Sequence, residues 1–183
     1  MTRVSTLIGF IKNPEPVFDR TIGDETFGDQ LEKFYTVECE LRKSSIPLLI
    51  SEHNLDCLVK GKVSITGSLF SDYVDIPLPK SYIYVNKIEP VSPDTDLTNE
   101  VNFSGTVTVV RDMTVDSVSR DTLPIVVANT SPLNTPSILL VTLKDGNARR
   151  NKGKKPKFNI SGTGYLLKYK DVYEIHAKNI VVS

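Results

Sequence analysis

The side chains best suited to chemistry in this sequence are cations and aromatic rings rather than nucleophiles or metal ligands. The densest group is a run of six cations within nine residues, 149–157. Such a run produces a local positive field even on a chain whose formal net charge is zero, and that field attracts a polyanion. A solvated loop without any partner is the alternative interpretation. The six cations are Arg149, Arg150, Lys152, Lys154, Lys155 and Lys157.

Two of the candidate aromatic rings follow a short sequence phrase that occurs twice. Lys62–Ser68 recurs as Lys157–Thr163, and an aromatic residue follows each phrase glycine by three positions, Phe70 in the first copy and Tyr165 in the second. Because side chains alternate along a strand, both rings are expected to lie opposite the face that carries the isoleucine and the glycine. This direction predicts outward-facing stacking platforms for nucleobases. Packing on the barrel surface or at a domain interface is the alternative.

A surface that binds a single-stranded nucleic acid without reading its sequence needs cations for the phosphates and flat rings for the bases. Alternation also turns Phe34 away from Tyr35 and Val37, which makes Phe34 a further candidate ring. Lys168 stands beside Tyr169, an interleaving of cation and aromatic ring that suits a groove tracking a strand. The remaining candidates for this surface are Arg42, Lys43, Lys62 and Tyr73.

These residues require β-strands to position them. Short segments with alternating or continuous apolar residues, such as 34–41, are separated by stretches that contain glycine and proline. The two halves follow similar spacing, 58 residues from Gly9 to Gly67 and 57 from Gly105 to Gly162. About five short strands per half, with glycines at bends, predict a small closed barrel in each half. We therefore expect an all-β chain of two tandem five-stranded barrels, with domains at 1–90 and 100–183 and a linker at 91–99.

Four short motifs resemble the bacterial single-stranded DNA-binding protein family, in the form with two tandem OB-fold domains found in Firmicutes and their mobile elements. They are Phe34-Tyr35-Thr36-Val37, the paired Ile46-Pro47-Leu48 and Leu123-Pro124-Ile125, the repeated K-x-x-I-[ST]-G phrase, and Gly146-Asn147-Ala148-Arg149. The resemblance implies binding of single-stranded DNA with little sequence preference, which would protect the DNA during replication, recombination or transfer. RNA is an alternative ligand, because OB-folds also bind RNA.

Two features depart from that family. The sequence has no tryptophan, whereas many relatives stack bases on tryptophan. Its last residues, 179–183, do not form the acidic, apolar-tipped tail that many relatives use to recruit replication partners. Recruitment by that route is not expected for this chain.

Catalysis and metal binding find little support in the sequence. His53 and His176 have no cysteine or carboxylate at metal-ligand spacing, and no P-loop, G-x-G-x-x-G or G-x-S-x-G motif occurs. Cys39 and Cys57 form neither a disulfide framework nor a C-x-x-C pair. We therefore expect no enzyme activity, no cofactor and no metal.

Charge and composition leave a second function class open beside nucleic-acid binding. Residues 1–92 carry 10 basic and 13 acidic side chains, a net charge of −3, and residues 93–183 carry 12 and 9, a net charge of +3. Zero overall charge and the lack of tryptophan favour a structural or adaptor β-protein, such as a virion or assembly component. No signal peptide or membrane span is recognisable, so a cytoplasmic location without membrane contact is expected. The sequence is compatible with a homo-oligomer.

Overall fold

The chain folds almost entirely into β-strands. The structure is a computed structural model and describes residues 2–23, 28, 30–72, 80–108, 122–133, 136–144, 159–169 and 172–183. A 3₁₀ helix, Glu52–Cys57, follows the fourth strand. The strands in the described part of the chain are β1 Thr2–Ile11, β2 Val17–Ile22, β3 Glu32–Leu41, β4 Ser44–Ser51, β5 Gly61–Asp72, β6 Lys80–Pro90, β7 Glu100–Thr108, β8 Thr122–Thr130, β9 Pro136–Lys144, β10 Asn159–Tyr169 and β11 Val172–Val182.

The strand pairings close into one five-stranded ring in each half. In the first half the ring order is β1–β5–β6–β4–β3 and back to β1, with β4 and β6 parallel and the other pairs antiparallel. In the second half it is β7–β10–β11–β9–β8 and back to β7, with β9 and β11 parallel. The two orders correspond strand for strand. The predicted all-β fold of five-stranded barrels is confirmed, whereas the domain boundaries at 90 and 99 remain a prediction.

The glycines of the repeated phrase are required by close approach of the closing strand. A Cβ added to Gly67 would lie 1.9 Å from the carbonyl oxygen of Tyr84 on β6. At Gly162 the carbonyl oxygen of Asn179 on β11 lies at the same distance, 1.9 Å. Both pairs of strands also shift register beside the phrase, between Thr66 and Gly67 in the first half. The repetition therefore reflects the same closure of two barrels, since only glycine lets the backbones come this near.

Alternation fills the barrel interiors with apolar side chains. On β5, Val63, Ile65 and Leu69 point inward and belong to the main core, and Ile160 and Leu166 of β10 belong to the same core. That core includes residues from both halves, so the two rings pack against each other rather than standing apart. A main-chain pairing of Asp72 with Ser137 adds a direct connection between β5 and β9.

The predicted linker is bound along the first barrel. The backbone N–H of Val91 donates to the carbonyl of Lys62 at 3.0 Å. The Lys62 ammonium donates to the carbonyls of Pro93 and Thr95 at 2.6 and 2.7 Å. Residues 91–95 are thus held in place by one lysine, and they connect the halves along a defined path.

Closure of the second barrel depends on the missing side chain at Gly162. We predict that Gly162→Ala lowers the free energy of unfolding by about 2–3 kcal/mol, because the methyl group collides with backbone rather than with a movable side chain. Urea denaturation would measure this loss. The control is Ser161→Ala, which changes an exposed residue of the same phrase. Equal stability of the two variants would contradict the closure argument.

Candidate nucleic-acid interface

Two predicted cations form the tip of the β3–β4 hairpin. The ladder ends at the pair Leu41 and Ser44, so Arg42 and Lys43 make a two-residue loop. Both side chains are exposed. The backbone N–H of Arg42 donates to the carbonyl of Thr98 at 3.2 Å, which directs the loop toward the connection between the two halves. Lys43 has φ of 65°, a left-handed conformation that is uncommon outside glycine.

Tyr165 lies on the outer face of β10, as the alternation argument predicted. Its side chain is 40% exposed, while the next residue, Leu166, is fully buried in the core. Cross-strand neighbours of Tyr165 are Glu100 on β7 and His176 on β11. The ammonium of Lys178 lies 5.8 Å from the centre of the Tyr165 ring.

The hairpin loop and the tyrosine meet in one cavity at the junction of the two halves. The cavity has a volume of about 280 Å³ and is lined by Arg42, Lys43, Asn99, Tyr165 and Leu167. Its wall is fixed by two hydrogen bonds between Asn99 and Leu166. The Leu166 N–H donates to the Asn99 carbonyl at 2.8 Å, and the Asn99 side-chain amide donates to the Leu166 carbonyl at 3.2 Å. Two cations, one open ring and an apolar side chain suit a ligand that carries both an anion and a flat group. We call this the junction cavity.

The exposure predicted for Phe34 and Phe70 is wrong, because these rings are buried. Phe70 lies on the face opposite Ile65, as alternation requires, yet it is fully buried and stacks on Tyr82 with ring centres 5.5 Å apart. Phe34 is 2% exposed. Both rings belong to a second apolar cluster outside the barrel, and this cluster also contacts Leu133 from the other half of the chain. A covered ring cannot stack on a base, so the alternative of packing at an interface holds for Phe70, and Phe34 is also a packing residue.

The other predicted cations and rings divide into three groups. The Lys62 ammonium donates to backbone carbonyls of the 91–95 segment. Lys168 is exposed, with its ammonium 5.4 Å from the centre of the Tyr173 ring, and Tyr169 ends β10 in a backbone pair with Val172. The remaining predicted residues, Tyr73 and the cations at positions 149, 150, 152, 154, 155 and 157, lie outside the residues that the structure describes.

Several residues near the candidate surfaces were missed by the sequence analysis. Lys178 and Asn99 are isolated polar residues. The pairing of β10 with β11 brings Lys178 near Tyr165, and hydrogen bonds to Leu166 hold Asn99 in the wall of the junction cavity. On the first half, Phe18 is 54% exposed and packs edge-on against Tyr35 at 5.8 Å. Arg20 lies over the ring of Tyr82 at 5.3 Å. An apolar residue within a polar stretch was the available signal for Phe18.

Charge pairing near the tyrosine is weak and open to competition. Lys178 is 3.6 Å from a carboxylate oxygen of Glu100, and both side chains are about half exposed, 48% and 47%. Exposed pairs of this kind contribute little and are screened by salt. An anionic ligand can therefore displace Glu100 from Lys178.

No group of three or more histidine, cysteine, aspartate or glutamate side chains that could hold a metal is found among the described residues. In the part of the chain that the structure describes, no helix is long and apolar enough to cross a membrane.

The two phrase aromatics should differ in their effect on stability. Phe70→Ala is expected to cost about 3–5 kcal/mol of unfolding free energy, because it opens a cavity under Tyr82. Tyr165→Ala should cost no more than about 1 kcal/mol, because its ring is substantially exposed. Thermal and urea unfolding of both variants would measure the difference. A large loss in Tyr165→Ala would place that ring in the core instead.

Known structures share this fold. No protein-family model matches the sequence, and no curated protein matches it. The wild-type single-stranded DNA binding protein from Thermus aquaticus is similar, with a TM-score of 0.62, 16% identity, and coverage of 100% of this chain and 93% of that chain. A deletion mutant of the Thermus protein gives a TM-score of 0.60, 15% identity and coverage of 100% and 94%. At these identities the likeness establishes the fold, and the chain has the fold of a bacterial single-stranded DNA binding protein.

Proposed function

We propose that this protein binds single-stranded DNA with little sequence preference and that the junction cavity is part of the binding surface. One observation carries the proposal: Arg42 and Lys43 from the first half and Tyr165 from the second line the same cavity. The similarity to the Thermus protein supports the choice of ligand at the level of the fold. No reaction is proposed, and the function is binding alone.

The chemistry of the cavity suits a nucleotide in a flexible strand. Stacking a base on an aromatic ring contributes about 1–3 kcal/mol, and every base offers a face for it. Arg42 and Lys43 can neutralise phosphates next to the stacked base, and the guanidinium can bind two phosphate oxygens at once. One N–H of the Asn99 side-chain amide donates to the Leu166 carbonyl, and Asn99 is only 5% exposed, so this amide is poorly placed to read base edges. Weak sequence preference follows from this set of groups.

The same surface extends, in this proposal, to the other candidates that the sequence predicted. Lys168 and Tyr169 continue β10 beyond Tyr165, and the basic residues of 149–157 precede that strand in the chain. Tyr73 is retained as a candidate as well. Phe34 and Phe70 are excluded because they are buried, and Lys62 is excluded because its ammonium donates to the 91–95 segment.

The wider role follows from the ligand. A protein of this kind would cover single-stranded DNA during replication, recombination or transfer, in the cytoplasm. The two rings support the two-OB-domain form that the motifs resemble, with units at 1–90 and 100–183. Assembly into a homo-oligomer would join several such surfaces, and RNA is the alternative strand.

Titration with fluorescent oligo-dT and with duplex DNA at two salt concentrations tests the proposal. We expect tighter binding to oligo-dT, and weaker binding as salt rises, because phosphate contacts release counterions. Tyr165→Ala should weaken binding about 5- to 50-fold, corresponding to the loss of one stacked base. Arg42→Ala should weaken it and reduce the slope of log K against log salt by about 0.7. The matched control is Lys87→Ala, which removes an exposed cation paired with Glu89 and remote from the cavity lining.

Absence of oligo-dT binding at low salt would contradict the proposal and favour a structural or adaptor protein. Equal binding to single-stranded and duplex DNA would instead indicate a general polyanion surface. Binding that is lost with Arg42→Ala and equally with Lys87→Ala would place the contact outside the junction cavity.

Release of Lys178 from its carboxylate partner should strengthen binding. We predict that Glu100→Gln tightens the complex with oligo-dT about 2- to 5-fold, because it removes a negative charge beside Tyr165 and frees the ammonium for a phosphate. The control is Glu89→Gln, which frees Lys87 from a similar exposed pair with an N–O distance of 3.1 Å. The same gain in both variants would show an effect of net charge alone.

A further inference from the structure

Glu174 is a buried carboxylate that the proposed binding surface does not yet use. It lies on β11 with only 1% of its side chain exposed. Burying a carboxylate is costly unless charged or hydrogen-bonding partners surround it. The Thr142 hydroxyl of β9 donates to its Oε2 atom at 3.3 Å, and Nε2 of His176 lies 3.2 Å from the same oxygen. A carboxylate is therefore held under an imidazole at the protein surface.

This contact fixes which nitrogen of His176 is available to a ligand. An ionised Glu174 only accepts hydrogen bonds, so in that state it pairs with an N–H at Nε2 of His176. In the neutral ring Nδ1 then has no hydrogen. Protonation adds the new hydrogen at Nδ1, on the other side of the ring from the carboxylate. The His176 side chain is 32% exposed, so part of the ring reaches solvent.

The position of His176 connects this pair to the proposed binding surface. His176 lies directly opposite Tyr165 in the β10–β11 ladder. Side chains in such cross-strand positions are neighbours, with Cβ atoms about 5 Å apart. The charged and titratable groups around the imidazole are Glu174 and Lys178 on β11, Tyr165 on β10, and Glu100 on β7, which pairs with Lys178.

We propose that His176 is a further contact to the nucleic acid, oriented by Glu174, and that its protonated ring donates from Nδ1 to a phosphate beside the base stacked on Tyr165. This inference rests on the proposed function and deepens it, since it makes strand binding stronger in mild acid. Lys178 already gives the neighbourhood one cation, and imidazolium adds a second where the strand passes.

The test compares oligo-dT affinity at pH 6 and pH 8 at fixed salt. We expect the wild-type protein to bind about 3- to 5-fold more tightly at pH 6, the size of one partly exposed charge contact. The slope of log K against log salt should also be steeper at pH 6. A fully protonated His176 in contact with a phosphate would add about 0.7 to the slope, and partial protonation would add proportionally less. His176→Gln should show the same affinity at both pH values, because its amide cannot titrate. His53→Gln is the matched control and should retain the wild-type pH dependence, since it removes the other histidine.

Two further measurements test the inference even if the His176 variant is unstable. Calorimetry of the wild-type protein near pH 7, in two buffers with different ionisation enthalpies, should reveal proton uptake when oligo-dT binds. Glu174→Gln should reduce the gain in affinity at pH 6, because the ring loses its compensating carboxylate. Wild-type binding without pH dependence or proton uptake would overturn the inference and leave the proposed function intact. Absence of oligo-dT binding at both pH values would overturn the proposed function itself.

Discussion

The junction cavity depends on the hydrogen bonds that hold residues 98 and 99 between the two barrels. Thr98 donates its N–H to the carbonyl of Ile8 at 3.0 Å and accepts from the N–H of Ile8 through its hydroxyl at 2.9 Å. Its carbonyl accepts from Arg42, and Asn99 pairs with Leu166 through two bonds. These contacts set the distance between the β3–β4 hairpin and β10. They bring Arg42, in the β3–β4 loop of one ring, and Tyr165, on β10 of the other ring, to the same cavity.

Alternation predicted the side of each strand correctly but not what covers that side. Tyr165 and Phe70 both lie opposite their barrel cores, at matching positions of the repeated phrase. Tyr165 is open, whereas Phe70 is covered by Tyr82 and by a cluster that includes Leu133 from the second half. A period of two residues specifies which face a side chain occupies. Whether a second apolar layer lies on that face depends on packing between segments far apart in sequence, which periodicity does not report.

The strands and their closure into a barrel in each half could be predicted from local patterns and from the repeat, whereas the composition of the site could not. The phrase glycines marked the strands that close each ring, and the backbone approach at Gly67 and Gly162 explains why those positions recur. Arg42 and Lys43 were recognisable as a basic pair. Their meeting with Tyr165, and the grouping of His176 with Glu174, depend on strand register and on the contact between halves. Isolated residues such as His176 carry no spacing signal of their own.

The backbone at Lys43 connects the geometry of the hairpin turn to the lining of the cavity. A residue with a side chain in the left-handed region costs roughly 1–2 kcal/mol relative to the right-handed form, and glycine would avoid this cost. The conformation at 65° is imposed by the two-residue loop and by the bond from Arg42 to Thr98. Lys43 lines the same cavity as Arg42 and Tyr165, so the turn that imposes this conformation also fixes where the lysine side chain leaves the backbone beside that cavity.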